Sequence, residues 1–599
     1  MDYRARAAAF GAQADQLAAI TFRLANARLG AFLGGLVFIV AALWSQWVGL
    51  LVPAAVVWGL FVWLVMRHRA AERERKRFAA LARINVESAA RADRLWDAIP
   101  LRHSVKADAD HPYADDLDLF GHASLMHLLD NVVTTHGERM LAEWLSRPGQ
   151  PAEVAQRHRA AQELAPLLDL RQAVEQSVRG EHGTRVDASG LLGWVGEAPW
   201  LRPRGWVVWL ARVSPAALWV ALVAYWLDLF PYPVWLAPLA VNAALAWYTD
   251  SRAVRTIERV SSLARNAEGM AHAFREIEAA NLAAPLTASV QRSLRSDGVD
   301  AARELDRLGR IARWEQPPST LVYPGIALAT LWNTHVLVAL EEWQRRNATR
   351  VSAWIEALAQ FEAISALAGL AHDNPSWVYP TLDPSLQELT GDGVGHPLLP
   401  ADTRVGNSVS VGPAGTFLLV TGSNMSGKST LLRAIGLNTV LAQAGGPACA
   451  AGLSLPPVAL WTCMRVRDSL ERGVSYYMAE LQRLKRIVDA SAGAPGSAPL
   501  LFLLDEILQG TNTAERQIAA RQIISWLIRH GAIGAVSTHD LTLAEEGPLR
   551  SAARDVHLQE TIREGPDGAQ MTFDYRLHPG IARSTNALRL LEMVGIPTE

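Results

Sequence analysis

The stretch TFLLVTGSNMSGKST at residues 416–430 decides the fold of the C-terminal third of this chain. Its apolar opening, Thr416 to Val420, predicts a buried strand, and LLRAIGLNTVLA at 431–442 predicts a helix. Between them, residues 422–429 fit the pattern G-x-x-x-x-G-K-[ST] of a phosphate-binding loop. A strand, a glycine-rich loop and a helix in this order predict an α/β nucleotide-binding domain.

In such a loop, backbone N–H groups and the positive end of the helix face the phosphates of a nucleotide. Lys428 is expected to reach the β- and γ-phosphates of ATP, and Ser429 is expected to hold Mg²⁺. The sequence therefore predicts ATP and Mg²⁺ as cofactors. The expected phosphate-binding residues are Gly422, Ser423, Asn424, Met425, Ser426, Gly427, Lys428, Ser429 and Thr430.

Two further apolar runs end in residues suited to ATP hydrolysis. PLLFLL at 499–504 leads into Asp505 and Glu506, and GAIGAVSTHD at 531–540 carries His539. Asp505 is expected to hold Mg²⁺ through water, and Glu506 is expected to polarise the attacking water. His539 is expected to contact the γ-phosphate, so Glu506 and His539 are the predicted catalytic residues.

The segments TGSNMSGKST, LLDEILQGTNTAER and STHD, in this order, resemble the ATPase domain of the MutS family of DNA mismatch-repair proteins. The resemblance implies an α/β P-loop ATPase that works as a homodimer with composite nucleotide sites. It also implies that Gly473 and Ser475 contact the ATP of the partner subunit. A helix N-cap before YYMAELQRLKRI is a compatible role for Ser475. The family usually has Ser-Thr-Phe where this chain has Ser475, Tyr476 and Tyr477.

Other segments extend the resemblance. It implies that Thr511 and Asn512 form the D-loop, and that His396 and Asn407, in and after GHPLL, flank the adenine. DLFGHASLMHLLDNVVTTHGERMLAEWLSRP at 118–148 resembles the all-α core of the family, and HPGIARSTNALRLLEMVGIP at 578–597 resembles its closing segment.

Two apolar regions predict transmembrane hairpins. Residues 29–66 carry no charge and are about twice the ~20 residues that one span needs, so we expect two helices that turn near Ser45–Val48. The second region, 206–249, is broken near Asp228–Pro233. A buried hairpin in a soluble core is the alternative for each. Tryptophan favours the edges of a bilayer, and 10 of the 21 tryptophans lie in these regions. A third run, 320–340, contains Pro324 and Asn333 and is interpreted as one buried core helix.

Arginines flank both predicted hairpins on their outer sides and are nearly absent from the turns. This distribution predicts a multi-pass protein of the cytoplasmic (inner) membrane, with membrane lipid as a partner and both termini and the ATPase domain in the cytoplasm. The predicted domains are an N-terminal arm 1–28, hairpin 29–66, helical core 67–205, hairpin 206–249, helical core and lever 250–380, and ATPase domain 381–599.

Composition limits the remaining functions. A net charge of −2 gives no global basic footprint, so DNA binding rests on the resemblance. The two cysteines are far apart, and no structural zinc site is expected.

The short segment before residue 29 suggests that the mismatch-recognition domain is missing, and Phe274-Arg-Glu276 is interpreted as ordinary helix rather than a mismatch wedge. The leading prediction is a membrane-anchored MutS-like ATPase acting on DNA; the alternatives are an ATP-switched membrane scaffold and a transporter-like ATPase.

Overall fold

The computed structural model describes residues 2–108, 110–179, 185–314, 323–423, 426–464, 476–493, 498–509, 512–540, 549–565 and 568–581. The chain divides into two compact units, Met1–Pro100 and Leu101–Glu599. The first is a helical hairpin, and the second contains a helical core and an α/β domain.

The first unit consists of helices α1 (Tyr3–Ser45) and α2 (Leu51–Ala92), joined by a turn that contains the short 3₁₀ helix Val48–Leu50. The turn lies where the sequence predicts it, and Phe32 packs edge-on against Trp58 across the hairpin with ring centroids 5.5 Å apart. Each helix is about 60 Å long at 1.5 Å per residue, roughly twice the hydrocarbon thickness of a bilayer. Helix α2 continues without a break from the apolar run into the arginine-rich stretch after Met66.

The helical part of the second unit has twelve described helices. They are α3 (Leu125–Leu129), α4 (Thr135–Ser146), α5 (Pro151–Leu164), α6 (Leu168–Val178), α7 (Ser189–Gly196), α8 (Gly205–Trp226), α9 (Leu236–Ala279), α10 (Pro285–Leu294), α11 (Ala301–Ala312), α12 (Tyr323–Thr330), α13 (Trp332–Asn347) and α14 (Val351–Asp373).

Helix α14 is the centre of this helical part. It is mostly apolar and is buried from Phe361 to Leu370, as expected for a helix surrounded by others, and it contacts α3, α4, α5, α6, α7 and α10. Helix α9 packs on α6 and α11 along its polar half, and its Phe274 is fully buried. The burial of Phe274 within a regular helix confirms that Phe274-Arg-Glu276 is not an exposed wedge.

A buried carboxylate ties α14 to the start of α4. Glu362 Oε1 accepts hydrogen bonds from the backbone N–H groups of Val133 (3.0 Å) and Thr134 (3.2 Å), and its Oε2 accepts from the Thr134 hydroxyl. Burial raises the pKa of Glu362 to about 7, against the hydrogen bonds from Thr134 and Val133, which lower it. The carboxyl therefore keeps its proton in the folded chain at pH values where an exposed glutamate has lost it.

We expect this carboxyl to make stability pH-dependent. Below about pH 4.5 Glu362 is protonated in both the folded and the unfolded chain, so the stabilising effect of its raised pKa is fully present. As the pH rises toward about 7, the unfolded chain releases the proton first, so the melting temperature should fall across this window. Glu362→Gln should flatten that fall in thermal melts between pH 5 and 7.5; an unchanged slope would contradict this origin.

Three stretches of the described chain are long and apolar enough to cross a membrane: Tyr3–Ser45, Val48–Ala92 and Gly205–Trp226. Helix α9, the second helix of the predicted second hairpin, is not among them, because its apolar part ends at Tyr248 and Asp250 and Arg252 follow. The apolar face of α8 is nevertheless largely exposed, with Trp219 at 54% and Trp226 at 82%. A full span by α9 remains a prediction.

The run 320–340 was expected to form one buried helix, and this expectation is wrong. Leu331 adopts a left-handed conformation (φ 51°) and separates α12 from α13. Leu337 and Leu340 of α13 are buried, whereas Ile326 of α12 is 41% exposed. Asn242 of α9 donates a hydrogen bond from Nδ2 to the carbonyl of Leu328 (3.0 Å), which satisfies a carbonyl near the end of α12.

The C-terminal part is an α/β domain with two sheets. Its strands are β1 (Thr381–Leu382), β2 (Leu389–Val394), β3 (Asn407–Val411), β4 (Phe417–Thr421), β5 (Gly452–Leu455), β6 (Ala459–Cys463), β7 (Leu500–Asp505), β8 (Ile533–Ser537), β9 (Ala553–Gly565) and β10 (Gly568–Pro579). Its helices are α15 (Lys428–Ala444), α16 (Tyr476–Ser491), α17 (Thr513–Arg529) and α18 (Leu549–Ala552).

The larger sheet has the order β10-β9-β4-β8-β7-β6 and is parallel except for β10. The smaller sheet has the order β1-β5-β2-β3. Strands β4, β7 and β8 are buried almost throughout, because they are central in a sheet covered by helices. The predicted α/β fold of this part is therefore confirmed.

Candidate nucleotide site

The predicted site residues meet at one edge of the larger sheet. Val420 on β4 and Asp505 on β7 both pair in register with Ser537 on β8. The carboxyl ends of these three parallel strands therefore lie side by side, and open α/β sheets bind ligands at such an edge. The loop after β4, the carboxylates after β7 and His539 after β8 all emerge there.

The loop after β4 needs glycine at two positions. Gly422 has φ 146° and Gly427 has φ 101°, both outside the range that side chains favour. A Cβ atom at Gly422 would lie 2.9 Å from the Leu558 carbonyl oxygen, so the loop also passes close to β9. Gly427 forms the N-cap of α15, which directs the first turn of that helix toward the loop.

Lys428 is held across the loop. Its Nζ donates to the carbonyl oxygens of Gly422 and Ser423, at 2.9 Å each, and lies 3.2 Å from Glu506 Oε1. Its side chain is almost fully buried. The ammonium is thus fixed at the point where the phosphate-binding loop meets the predicted catalytic carboxylate.

Glu506 is fixed by its backbone and by the side chain of Gln509. Its N–H donates to the Ser537 carbonyl (3.1 Å), and it has φ 47°, which is uncommon for a residue other than glycine. Gln509 Nε2 donates to Glu506 Oε2 at 2.6 Å. The neighbouring Asp505 accepts a hydrogen bond from the Ser537 hydroxyl. Both residues are therefore attached to Ser537 of β8, Glu506 through its backbone N–H and Asp505 through its carboxylate.

His539 lies beside this pair. Its Nδ1 is 3.6 Å from Glu506 Oε2, and its side chain is 49% exposed. The preceding residue, Thr538, donates its N–H to the Val420 carbonyl of β4 at 3.1 Å and its side-chain oxygen accepts from the Asp540 N–H at 2.9 Å. The turn holding His539 is thus attached to the strand that carries the phosphate-binding loop.

Residues around the carboxylates hold the following loop in place. Glu480 of α16 is buried and accepts a hydrogen bond from the Leu508 N–H at 2.6 Å; burial raises its pKa. Asn512, predicted in the D-loop, caps α17 by accepting from the Glu515 N–H at 2.9 Å. Five of the predicted site residues, Asn424, Met425, Gly473, Ser475 and Thr511, lie outside the described residues.

The two residues predicted beside the adenine have different surroundings. Burial, with Arg433 and Arg404 nearby, lowers the pKa of His396 to about 4, so its ring is neutral at pH 7. The Asn407 side chain bridges to β10: its Nδ2 donates to the Tyr575 carbonyl (2.9 Å), and its Oδ1 accepts from the Leu577 N–H (2.8 Å). These bonds hold an irregular part of β10 between Phe573 and Leu577.

The irregular part of β10 brings an aromatic ring to the phosphate-binding loop. The sequence pattern does not predict this ring. Tyr575 has φ 54°, and a Cβ atom at Gly427 would lie 3.1 Å from its Cδ1. The Tyr575 ring is therefore next to the phosphate-binding loop and is 44% exposed. The alternation within MTFDYRLH gives no sign of the irregularity, so the sequence pattern alone does not place Tyr575 there.

The helical part contacts the site through a short segment before α3. Asp116 accepts a hydrogen bond from the Thr462 hydroxyl of β6 at 2.6 Å. Arg483 of α16 donates to the carbonyls of His111 (2.7 Å) and Pro112 (2.6 Å). Asp118 lies 3.6 Å from Arg433 of α15. One segment therefore contacts both the helix after the phosphate-binding loop and the helix that follows Ser475.

Residues 418–599 match the family model of MutS domain V, and this stretch holds the loop, both carboxylates and His539. Residues 418–599 therefore form a domain of the MutS family. The match places the site in the ATPase domain of that family, and the site is that of an ATP-hydrolysing enzyme.

Curated relatives match this chain over about two-fifths of its length. It is 29% identical to the DNA mismatch repair protein MSH6 of Arabidopsis thaliana over 41% of this chain and 19% of that protein. It is 30% identical to MutS of Rhodopirellula baltica over 41% of this chain and 27% of that protein. It is 30% identical to MutS 2 of Haloarcula marismortui over 42% of this chain and 28% of that protein. The chain thus matches under a third of the length of these relatives.

The residues of the site fit ATP and Mg²⁺. Within the described part of the chain, Ser426 Oγ is buried in the loop with no hydrogen-bond partner, as expected for a group that bonds to a ligand. Ser429 lies in the first turn of α15, and Asp505 ends β7 at the same edge of the sheet. Hydroxyl and carboxylate oxygens are the ligands that Mg²⁺ takes together with phosphates.

Proposed function

We propose that this chain is a membrane-anchored, MutS-like ATPase that closes composite nucleotide sites as a homodimer and passes that closure to its membrane segments. The observation that carries the proposal is that one chain contains both a MutS ATPase site and three stretches able to cross a membrane. We place it in the cytoplasmic membrane, with its ATPase domain in the cytoplasm.

The chemistry follows from the fixed groups. Lys428 neutralises charge on the β- and γ-phosphates, and Glu506 takes a proton from the attacking water. His539 contacts the γ-phosphate and so distinguishes ATP from ADP. Mg²⁺, held through Ser429 and Asp505, supplies further charge neutralisation when bound. The segment with Gly473 and Ser475 completes the site of the partner subunit.

Contacts within the second unit support transmission from the site toward α8 and α9. Helix α15 contacts α4 and α5: Gly149 after α4 donates its N–H to the Gln443 carbonyl at 3.1 Å. Helix α14 links α4 to α6, and a Cβ atom at Gly269 of α9 would lie 2.5 Å from the Ser177 carbonyl of α6. This close packing favours movement of α9 and α6 as one body.

DNA is the proposed substrate of the clamp, because the relatives are named DNA mismatch repair proteins. An ATP-switched scaffold without DNA is the alternative. It is favoured by the pairing of arginines with carboxylates on the polar helices, as in Arg275–Asp306, Arg313–Glu268 (2.9 Å) and Arg259–Glu197 (2.6 Å). Paired arginines leave less free positive charge for phosphates.

A salt-dependent binding assay decides between these functions. The detergent-solubilised chain should bind duplex or branched DNA at low salt, with affinity falling as salt rises. Extraction of washed membranes at high pH tests the anchor in parallel, and the chain should stay in the membrane fraction. Normal ATP hydrolysis without DNA binding at low salt would favour the scaffold, and release by alkali would overturn the anchor.

Tyr575 is proposed to stack on the adenine of ATP. Tyr575→Ala should raise the KM for ATP about tenfold with little change in kcat, because base–aromatic stacking contributes about 1–3 kcal/mol. Tyr575→Phe keeps the ring and should behave like the parent. Steady-state hydrolysis measures both constants; a large fall in kcat with unchanged KM would contradict the stacking role.

A further inference from the structure

We infer that the α1–α2 hairpin carries a binding site for the headgroup of an anionic phospholipid, formed by Arg28, Trp63, Met66, Arg67 and Arg69. This site rests on the membrane anchoring proposed above and adds a specific ligand to it.

The site is an open cleft of about 810 Å³ between the two helices. That volume lies within the ~300–1,000 Å³ typical of small-ligand sites. Arg28 reaches it from α1, and the other lining residues belong to α2 between Trp63 and Lys76. A headgroup in this cleft therefore contacts both helices of the hairpin.

Positive charge dominates the lining. The lining contains five cationic side chains and one carboxylate, Glu72. Glu72 is already engaged, because Arg75 donates hydrogen bonds to both of its oxygens (2.6 and 2.8 Å). Among the described residues, no carboxylate forms an ion pair with Arg28, Arg67 or Arg69. These three guanidinium groups are therefore available to a phosphate.

The apolar members of the cleft distinguish a lipid from a nucleic acid. Trp63 is 53% exposed and Met66 is 65% exposed, and both belong to the charge-free run 29–66. The Arg67 guanidinium lies 5.7 Å from the centre of the Trp63 ring, so cation and ring face the same space. Cations directly beside apolar and indole groups match the boundary between phosphates and acyl chains. Free phosphate and the phosphates of DNA have no acyl chain to contact Trp63 and Met66.

The test uses the full-length chain in detergent, with bound phosphatidylglycerol or phosphatidylcholine counted by native mass spectrometry. We expect phosphatidylglycerol to bind at least tenfold more tightly than phosphatidylcholine. The triple variant Arg28→Gln, Arg67→Gln, Arg69→Gln should lose that preference. Arg83→Gln, an exposed arginine about 20 Å farther along α2, removes the same kind of charge and should keep it. The single variant Arg67→Gln, expected to lose part of the preference, replaces the triple variant if that one does not fold.

Competition experiments distinguish binding of a lipid headgroup from binding of free phosphate or of DNA. Millimolar inorganic phosphate and a 30-nucleotide DNA should each leave phosphatidylglycerol bound. Displacement by either one, equal binding of the two lipids, or an unchanged preference in the arginine variants would overturn the lipid site. Alkaline extraction of membranes keeps the two proposals apart: a chain that stays in the membrane but shows no lipid preference refutes only the headgroup site.

Discussion

Glu506→Gln should reduce ATP turnover by about 10²- to 10⁴-fold while ATP binding is retained, since a positioned general base contributes about that factor. Glutamine has the same shape, and its amide oxygen can still accept the hydrogen bond that Gln509 donates to Glu506 at 2.6 Å. It cannot take a proton from water. Phosphate release measures turnover, and a fluorescent ATP analogue measures binding.

The same variant should accumulate as an ATP-bound dimer, because in the proposed function hydrolysis is the step that opens the composite sites. Mass photometry with ATP and with ADP detects the shift. Glu356→Gln, an exposed carboxylate on α14, is the matched control and should hydrolyse ATP at the parent rate. Parent-like turnover in Glu506→Gln would remove Glu506 as the base.

Lys428→Met should weaken ATP binding by about 10- to 100-fold, because a hydrogen bond to a charged group contributes about 1.5–3 kcal/mol. The ammonium of Lys428 is buried and oriented by Gly422 and Ser423, so no other cation easily replaces it. Methionine keeps the length of the side chain and removes the charge. Equilibrium binding of the fluorescent ATP analogue measures the loss.

Lys485→Met is the control for this change. Lys485 lies on α16 and is exposed, with a salt bridge to Asp489 one helical turn away. Such exposed pairs contribute little, so ATP affinity should not change. Equal effects of the two substitutions would indicate a general loss of charge or stability rather than a lost contact to phosphate.

The placement of the candidate ATPase-site residues was predictable from the sequence because these residues are attached to strand ends. A buried strand followed by a Gly-rich loop and a helix places Lys428 at the carboxyl end of that strand. Parallel neighbouring strands bring Asp505 and His539 to the same edge of the sheet. In the structure, Lys428 Nζ lies 3.2 Å from Glu506 Oε1, and His539 Nδ1 lies 3.6 Å from Glu506 Oε2.

The surroundings of the site were less predictable because they depend on contacts between distant parts of the chain. Asn407 is predicted beside the adenine, and the sequence does not show that its side chain also bonds to Tyr575 of β10, 168 residues away along the chain. Tyr575 reaches the loop only because that strand is irregular. Likewise, no local pattern indicated that Leu331 would break the run 320–340 into two helices.

The distance between the α8–α9 turn and the ATPase domain tests the central claim, that nucleotide closure moves the membrane segments. Spin labels at Leu229→Cys and Asp402→Cys, both exposed positions, report it by double electron–electron resonance in nanodiscs, with labelled chains diluted in unlabelled ones. With Glu506→Gln as background, ATP should shift the distance distribution by several ångströms relative to ADP. Superimposable distributions in the two states, with hydrolysis intact in the labelled parent, would contradict the account.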